Sequence, residues 1–238
     1  MANAWMPEAG RVKCTFAAGG RFLGGAPRAV WRTTETDPRV LSARSVAQRL
    51  DGDGHSAHLV WNPLHGDVAQ LLPATAPAGG QLCPPPGTDS RSVPVDASAD
   101  PACEGRICLI IVVIGRADEP FTDGPLAGAG ALLRWLDSWG VPPCWPGGTP
   151  PPATGPRPAP AEAWSRGGHF GASQVPGCPD RGPGAIDTGL LLGSASAGAG
   201  SAAPPSVRPL LTPALPAPLY PAEHSDNGAP PSSYAARY

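Results

Sequence analysis

Lysine is almost missing from this sequence of 238 residues: Lys13 stands alone beside sixteen arginines. The formal net charge is −2, so the chain has no basic stripe of the kind that neutralises nucleic-acid phosphates. Long apolar stretches are lacking too. The longest, residues 107–114, is far shorter than the roughly twenty residues that a helix needs to cross a bilayer. We therefore expect neither a nucleic-acid partner nor a membrane span.

Several motifs that would announce a mechanism are also absent. The sequence has no G-x-S-x-G, no P-loop and no dinucleotide fingerprint. Its six cysteines include no C-x-x-C pair, so we interpret them as scattered free thiols. The first residues lack a cationic start followed by an apolar run, so no signal peptide is predicted.

What the sequence has in excess is glycine and proline, 31 and 34 residues respectively, against a hydrophobic content of 41%. Such a composition predicts one modest domain diluted by loops. We place the domain at 25–192, after an N-terminal extension at 1–24. Loop-rich insertions are expected at 74–104 and 141–163, and a disordered Pro/Ala-rich tail at 193–238.

The apolar spacing predicts strands and helices in alternation. A strand is expected at 27–34, then a helix at 37–50 with Asp37 as its cap and Pro38 in its first turn. Two short strands at 57–63 and 67–73 are predicted to form a hairpin-like pair.

The apolar run 107–114 has Ile and Val on both faces, which is typical of the central strand of a covered sheet. A second helix is predicted at 124–140, with Gly140 just past its end. The fold class is therefore α/β: a single small domain with a central, mostly buried β-sheet flanked by helices.

Six segments of the sequence follow one another in a familiar order: "PRAVWRTTE", "SARSVAQRL", "SAHLVWNPLHGDVAQLLPAT", "GRICLIIVVIG", "FTDGPL…LLRWLDSWGVP" and "WSRGGHFGASQVP…PGAID". In order and approximate spacing they resemble zinc-dependent N-acetylmuramoyl-L-alanine amidases. The resemblance is to the actinobacterial and phage endolysin branch, which is related to the peptidoglycan recognition proteins, and it covers about 27–190.

In that family, two histidines and an aspartate or cysteine hold a zinc ion with an open position for water. The resemblance places the first ligand of the segment "WHTTE" at Arg32 and the second, of "GHSQVP", at Ala172. The third, of "DPG", falls at Gly182, and the carboxylate of "IEVVG" at Val112. None of the four residues can act, because arginine carries only donors and the others offer no lone pair from a side chain.

Two interpretations of the altered zinc site stay open. The loop at 166–187 can keep the outline of a zinc site that has lost its ligands, with His169 packed beside it. Alternatively the loop has slipped, and His169 becomes a ligand together with Cys178 or Asp180.

Six residues are candidates to contact a substrate: Arg32, Thr33, His58, His169, Ser173 and Gln174. Arg32 offers forked donors suited to the carboxylates of stem peptides. Alternatively, the arginine arose by substitution without selection and its side chain faces solvent. His58 either lines a groove or serves the structure. Trp145 and Trp164, in predicted loops, either stack on sugar rings or pack internally.

Three hypotheses follow from the resemblance. The first is a protein that binds peptidoglycan muropeptides with impaired or absent zinc hydrolysis, and therefore with no cofactor. The second is an active amidase with relocated ligands, which needs zinc. The third is a decayed, poorly folded relic. We expect a monomer that stays in the cytoplasm or reaches the cell wall through lysis.

Overall fold

The computed structural model describes residues 1–15, 25–55, 57–78, 108–152, 155–176 and 181–197. These residues form six strands: β1 (Gly10–Arg11), β2 (Arg28–Thr33), β3 (Leu59–Trp61), β4 (Val68–Gln70), β5 (Cys108–Val113) and β6 (Gly168–Gly171). They also form four α-helices: α1 (Ala43–Gly52), α2 (Ala129–Ser138), α3 (Ala161–Ser165) and α4 (Thr188–Ala197). Within these residues, no helix is both long and apolar enough to cross a membrane.

The six strands form one mixed sheet in the order β1-β4-β3-β5-β2-β6. Only β3 and β4 run antiparallel, and they form the predicted hairpin pair. Strand β5 lies between β3 and β2, parallel to both. The prediction that 107–114 is a central strand is confirmed, because a strand covered on both faces can be apolar throughout.

Each face of the sheet has its own hydrophobic layer. On one face α1 packs Ala43, Val46 and Ala47 against strand residues such as Val30 and Ile110. On the other face α2 and α4 pack against Trp31, Trp61 and Ile111, among others. The predicted α/β architecture, a covered sheet with helices on both sides, is therefore what the chain adopts.

Helix α1 starts later than predicted. Its N-cap is Ser42, whose Oγ accepts a hydrogen bond from the Ser45 N–H at 3.2 Å. Asp37 instead closes a turn, since its Oδ1 accepts from the Arg39 N–H at 2.8 Å. Both Asp37 and Ser42 belong to residue types that cap helices, so composition alone did not distinguish them.

Helix α2 is shorter than the predicted span 124–140. Gly128 precedes it with φ +80°, and a Cβ there would lie 2.9 Å from the Gly66 carbonyl oxygen. This close approach to the β3–β4 turn requires glycine and stops the helix from extending backwards. At the other end Gly140, with φ +78°, occupies the predicted position after the helix.

The N-terminal segment takes part in the sheet although it was expected to be an extension. Strand β1 pairs with β4, Met6 is buried in the core, and the Trp135 Nε1–H donates to the Asn3 carbonyl at 2.9 Å. At the other end, α4 includes 193–197 of the predicted tail. The rest of that tail, 198–238, lies outside the described residues, so its predicted disorder stays a prediction.

Candidate functional site

Strands β2 and β5 lie side by side, but their connections leave in opposite directions. The chain after β2 passes through α1 to β3, whereas the chain after β5 passes through α2 to β6. The two helices lie on opposite faces of the sheet. A crevice at the carboxyl ends of two such strands is where open α/β sheets bind ligands. We call the carboxyl edge between β2 and β5 the switch-point crevice.

The four positions that the resemblance assigned to the zinc site meet at this crevice. Arg32 on β2 is the register partner of Val112 on β5. Trp31 pairs with Gly171, the last residue of β6, so Ala172 follows directly beside the end of β2. The Ser173 N–H donates to the Gly182 carbonyl oxygen at 2.9 Å. This bond holds Gly182, the fourth position, beside the residue that follows Ala172.

The side chains at these positions do not fit a zinc ion. Val112 and Ala172 are 7% and 1% exposed and belong to the hydrophobic layer on the α1 face. Arg32 is half-buried and has only donors to offer. Among the described residues, no group of three or more His, Cys, Asp or Glu side chains could hold a metal ion. Cys178 and Asp180 lie outside those residues.

His169 lies on the opposite face of the sheet from Arg32 and Val112. His169 pairs in parallel register with Ala29, and Ala29 and Trp31 belong to the layer under α2. Because side chains alternate along a strand, Arg32 faces the opposite side of the sheet. The His169 Nδ1 accepts from the Trp31 Nε1–H at 3.0 Å, and its ring stacks against Trp145. Burial lowers the pKa of His169 to about 4. In this register the ring is a packed core group, as the first interpretation of the loop predicts.

His58 is also a structural group rather than part of a groove. Its Nδ1 accepts from the Ile110 N–H at 3.0 Å. The remaining nitrogen, Nε2, therefore carries the proton and donates to the Ala76 carbonyl at 2.9 Å. Burial lowers the pKa of His58 to about 4, against the opposing effect of that hydrogen bond to Ala76.

Gln174 organises the loop beside the crevice and is itself buried. Its Oε1 accepts from the Trp145 Nε1–H at 2.6 Å and from the Gly171 N–H at 2.9 Å. Its Nε2 donates to the carbonyls of Gly147 and Gly148. The side-chain amide of Gln174 thus forms its hydrogen bonds within the protein and has none left for a substrate.

Ser173 and Thr33 differ in how their hydroxyls are used. Ser173 is fully buried, and its Oγ has no hydrogen-bond partner within the described part of the chain. Thr33 is half-buried and donates to the Glu35 Oε1 at 2.6 Å. Of the six substrate-contact candidates, only Arg32 and Thr33 are accessible at the crevice, while the buried four have structural positions.

The two tryptophans that the sequence placed in loops are also engaged internally, and Trp164 lies in helix α3 rather than in a loop. Trp164 is 3% exposed, and the Arg28 guanidinium lies 4.6 Å from its ring centre. Trp145 is half-buried and stacks on Trp31 with the ring centres 6.4 Å apart. The structure therefore places both rings in internal packing contacts rather than at a surface that could stack on sugars.

Glu35 lies beside the crevice, and the sequence analysis did not single it out. It has φ 57°, a left-handed conformation that is uncommon for residues other than glycine. Its carboxylate accepts from the Ala117 N–H at 3.1 Å and ties the chain after β2 to the chain after β5. Nothing in the letters "TTE" indicates this conformation, because it depends on the neighbouring loop.

No protein-family model matches the chain, and no curated protein matches it either. Among solved structures it is similar to the endolysin N-acetylmuramoyl-L-alanine amidase LysCS from Clostridium intestinale URNW, with 16% identity, coverage of 56% of this chain and 75% of that chain, and a TM-score of 0.35.

Two further solved structures are similar to it. The Ph2119 endolysin from a Thermus scotoductus bacteriophage has 17% identity, coverage of 74% of this chain and 89% of that chain, and a TM-score of 0.38. The hydrolase AmiA of Staphylococcus aureus, solved with its ligand, has 11% identity, coverage of 84% and 89%, and a TM-score of 0.45.

Proposed function

We propose that the protein is a peptidoglycan-directed protein of the N-acetylmuramoyl-L-alanine amidase type, which binds muropeptides with impaired or absent zinc hydrolysis. The observation that carries the proposal is the meeting of Arg32, Val112, Ala172 and Gly182 at the switch-point crevice. These positions were assigned from sequence segments far apart in the chain. A wrong alignment of those segments would scatter them over the domain.

The chemistry of the crevice favours binding over hydrolysis. Amide hydrolysis of this type needs a metal to lower the pKa of a water molecule and a group to assist proton transfer. The four positions supply neither, because they hold Arg, Val, Ala and Gly. The guanidinium of Arg32, in contrast, suits the carboxylates of a stem peptide, which it can engage with two parallel hydrogen bonds.

Sedimentation with insoluble cell wall tests the binding. The full chain is expected to co-sediment with purified peptidoglycan, and Arg32→Gln should weaken the apparent affinity by about tenfold, the value of one charge-assisted contact of roughly 1.4 kcal/mol. Arg44→Gln, at an exposed position on α1, is the matched control and should bind as the wild type does. Absence of the wild-type protein from the pellet would overturn the proposal.

The zinc content of the same preparation tests the loss of hydrolysis. After chelator washing and incubation with zinc, the protein is expected to retain far less than one metal ion per chain and to release no stem peptide from muropeptides. Stoichiometric zinc together with peptide release would support the relocated-ligand amidase instead. A thermal melt of the same sample addresses the relic hypothesis, because a cooperative transition requires a packed core.

A further inference from the structure

Glu35, just after β2, has a backbone conformation that is strained for its residue type. Its φ of 57° lies in the left-handed region, where a Cβ crowds the backbone and glycine is the ordinary residue. Among the described residues, every other position with a positive φ is a glycine. Strain of this kind persists where the surrounding structure holds the residue in place, and it is concentrated at functional sites. The presence of glutamate rather than glycine therefore indicates a role for its carboxylate.

The carboxylate of Glu35 joins the ends of two neighbouring strands. Its Oε1 accepts from the Thr33 hydroxyl at 2.6 Å and from the Ala117 N–H at 3.1 Å, and its Oε2 lies 3.3 Å from the same N–H. Thr33 is the last residue of β2, whereas Ala117 follows the end of β5. Ala117 is only 6% exposed, so the carboxylate supplies the acceptor that its N–H requires.

Other hydrogen bonds fix the start of the loop after β5. The Gly115 N–H donates to the Thr34 Oγ1 at 3.3 Å, and the Thr36 N–H donates to the Gly115 carbonyl oxygen at 3.3 Å. These bonds hold the backbone at Gly115 against the chain that follows β2. The Glu35 carboxylate extends this connection by two residues, to Ala117.

Ala117 also contacts the segment that contains Gly182. Gly184 has φ +80°, and a Cβ there would overlap the Ala117 carbonyl oxygen, so the two backbones lie in close contact. Gly182, two residues earlier, accepts from the Ser173 N–H at 2.9 Å. The place of the loop after β5 therefore determines where the segment at Gly182 can lie at the switch-point crevice.

We propose that Glu35 is a positioning residue of the switch-point crevice. Its carboxylate fixes Ala117, and through Ala117 the segment at Gly182, relative to Arg32 at the end of β2. Glycine at position 35 would relieve the backbone strain but would lose both hydrogen bonds of the carboxylate. The consequence for ligand binding rests on the proposed wall binding through Arg32, whereas the hydrogen bonds of Glu35 can be tested without a ligand.

Hydrogen exchange of the full chain, followed by NMR at the Ala117 N–H, tests these bonds. Glu35→Gly should speed exchange at Ala117 by about tenfold, because the N–H loses its acceptor. Glu35→Gln keeps a side-chain oxygen that accepts, so its exchange should stay close to the wild-type rate. Glu119→Gln, which removes an exposed carboxylate from the same loop, is the matched control. Unchanged exchange at Ala117 in Glu35→Gly would overturn the inference.

Co-sedimentation of the same variants with purified peptidoglycan tests the positioning role. Glu35→Gly should bind about fivefold more weakly than the wild type, because the crevice is less preorganised, and Glu35→Gln should restore most of the affinity. The thermal transition of Glu35→Gly should stay within about 3 °C of the wild type, since relief of strain offsets the lost bonds.

The outcomes separate this inference from the wall-binding proposal. Full affinity of a folded Glu35→Gly, together with faster exchange at Ala117, would refute the positioning role. Loss of affinity only in proportion to a large drop in the thermal transition would also refute it, because a purely structural residue gives that result. Absence of the wild type from the pellet would overturn the wall-binding proposal, and the exchange rates alone would then decide whether Glu35 fixes the crevice.

Discussion

His58 and His169 lie inside the two layers of the domain, where burial lowers the pKa of each ring to about 4. Their hydrogen bonds explain why a neutral ring is required. Each Nδ1 accepts from a donor, the Ile110 N–H or the Trp31 Nε1–H, and a protonated Nδ1 could accept nothing. At the scale of single residues, histidine here stabilises the fold through acceptor nitrogens.

This arrangement predicts acid-sensitive stability. In the unfolded chain each ring takes up a proton near its ordinary pKa of 6.5, but the folded ring does so only near 4. The stabilising contribution is therefore complete above pH 6.5 and is lost as the pH falls towards 4. Urea unfolding should show the free energy of unfolding falling by roughly 1.4 kcal/mol per pH unit for each ring across that window.

Single variants separate this effect from general acid denaturation. His58→Gln should remove about half of the slope, because the amide keeps an acceptor and a donor but does not titrate. His65→Gln, at an exposed position, should leave the slope as it is. If His58→Gln retained the full slope, the buried ring would not be the origin of the pH dependence.

The four positions that the resemblance assigned to a zinc site stay a prediction, and the sequence alone left the role of the histidines open between structure and function. Arg32 and Ala172 were assigned by resemblance from the local segments "WRTTE" and "GASQVP". Whether His169 faces the crevice depends on its pairing with Ala29, which joins residues far apart in the chain. A single sequence carries no signal for that register.

Helices and strands were predicted best where the apolar residues are close in sequence and lie either on one face of the element or on both. Strand β5 is Ile/Val-rich and buried throughout, so its length and centrality were readable. The edge strand β1 has two residues, Gly10 and Arg11, both exposed. Such a strand is defined by its partner β4 rather than by its own side chains, so no sequence period could reveal it.

The start of α1 provides a test at this scale. Ser42→Ala should lower the free energy of unfolding by about 1 kcal/mol, because the Ser45 N–H loses its capping acceptor. Asp37→Ala is the matched control. Its carboxylate bonds to Arg39 in a turn outside the helix, so a smaller loss is expected. Chemical denaturation of both variants measures the difference, and a larger loss for Asp37→Ala would restore the cap predicted from sequence.

On the scale of the whole molecule, the connections of the chain create the site. Because α1 and α2 carry the chain to opposite sides, β2 and β5 leave a crevice at their carboxyl ends. Segments 31–35, 112–117 and 171–176 meet there, together with Gly182, through strand pairing and the Ser173–Gly182 hydrogen bond. Substitutions can remove functional side chains from such a crevice while the backbone that forms the crevice is retained.

If the crevice keeps the outline of a zinc site, restoring the side chains should restore metal binding. The variant with Arg32→His, Ala172→His and Gly182→Asp is expected to bind about one zinc ion per chain, as three protein ligands with an open fourth position do. Its thermal transition should rise when zinc is added, since a ligand that binds only the folded state stabilises it. The wild-type transition should not move.

Adding His169→Gln to this triple variant distinguishes the two readings of the loop. His169 faces the layer under α2, so the quadruple variant should be less stable but should still take up zinc. Loss of zinc with retained folding would mean that His169 is a ligand and that the loop has slipped. Absence of zinc from a folded triple variant would mean that these positions meet without the geometry of a metal site.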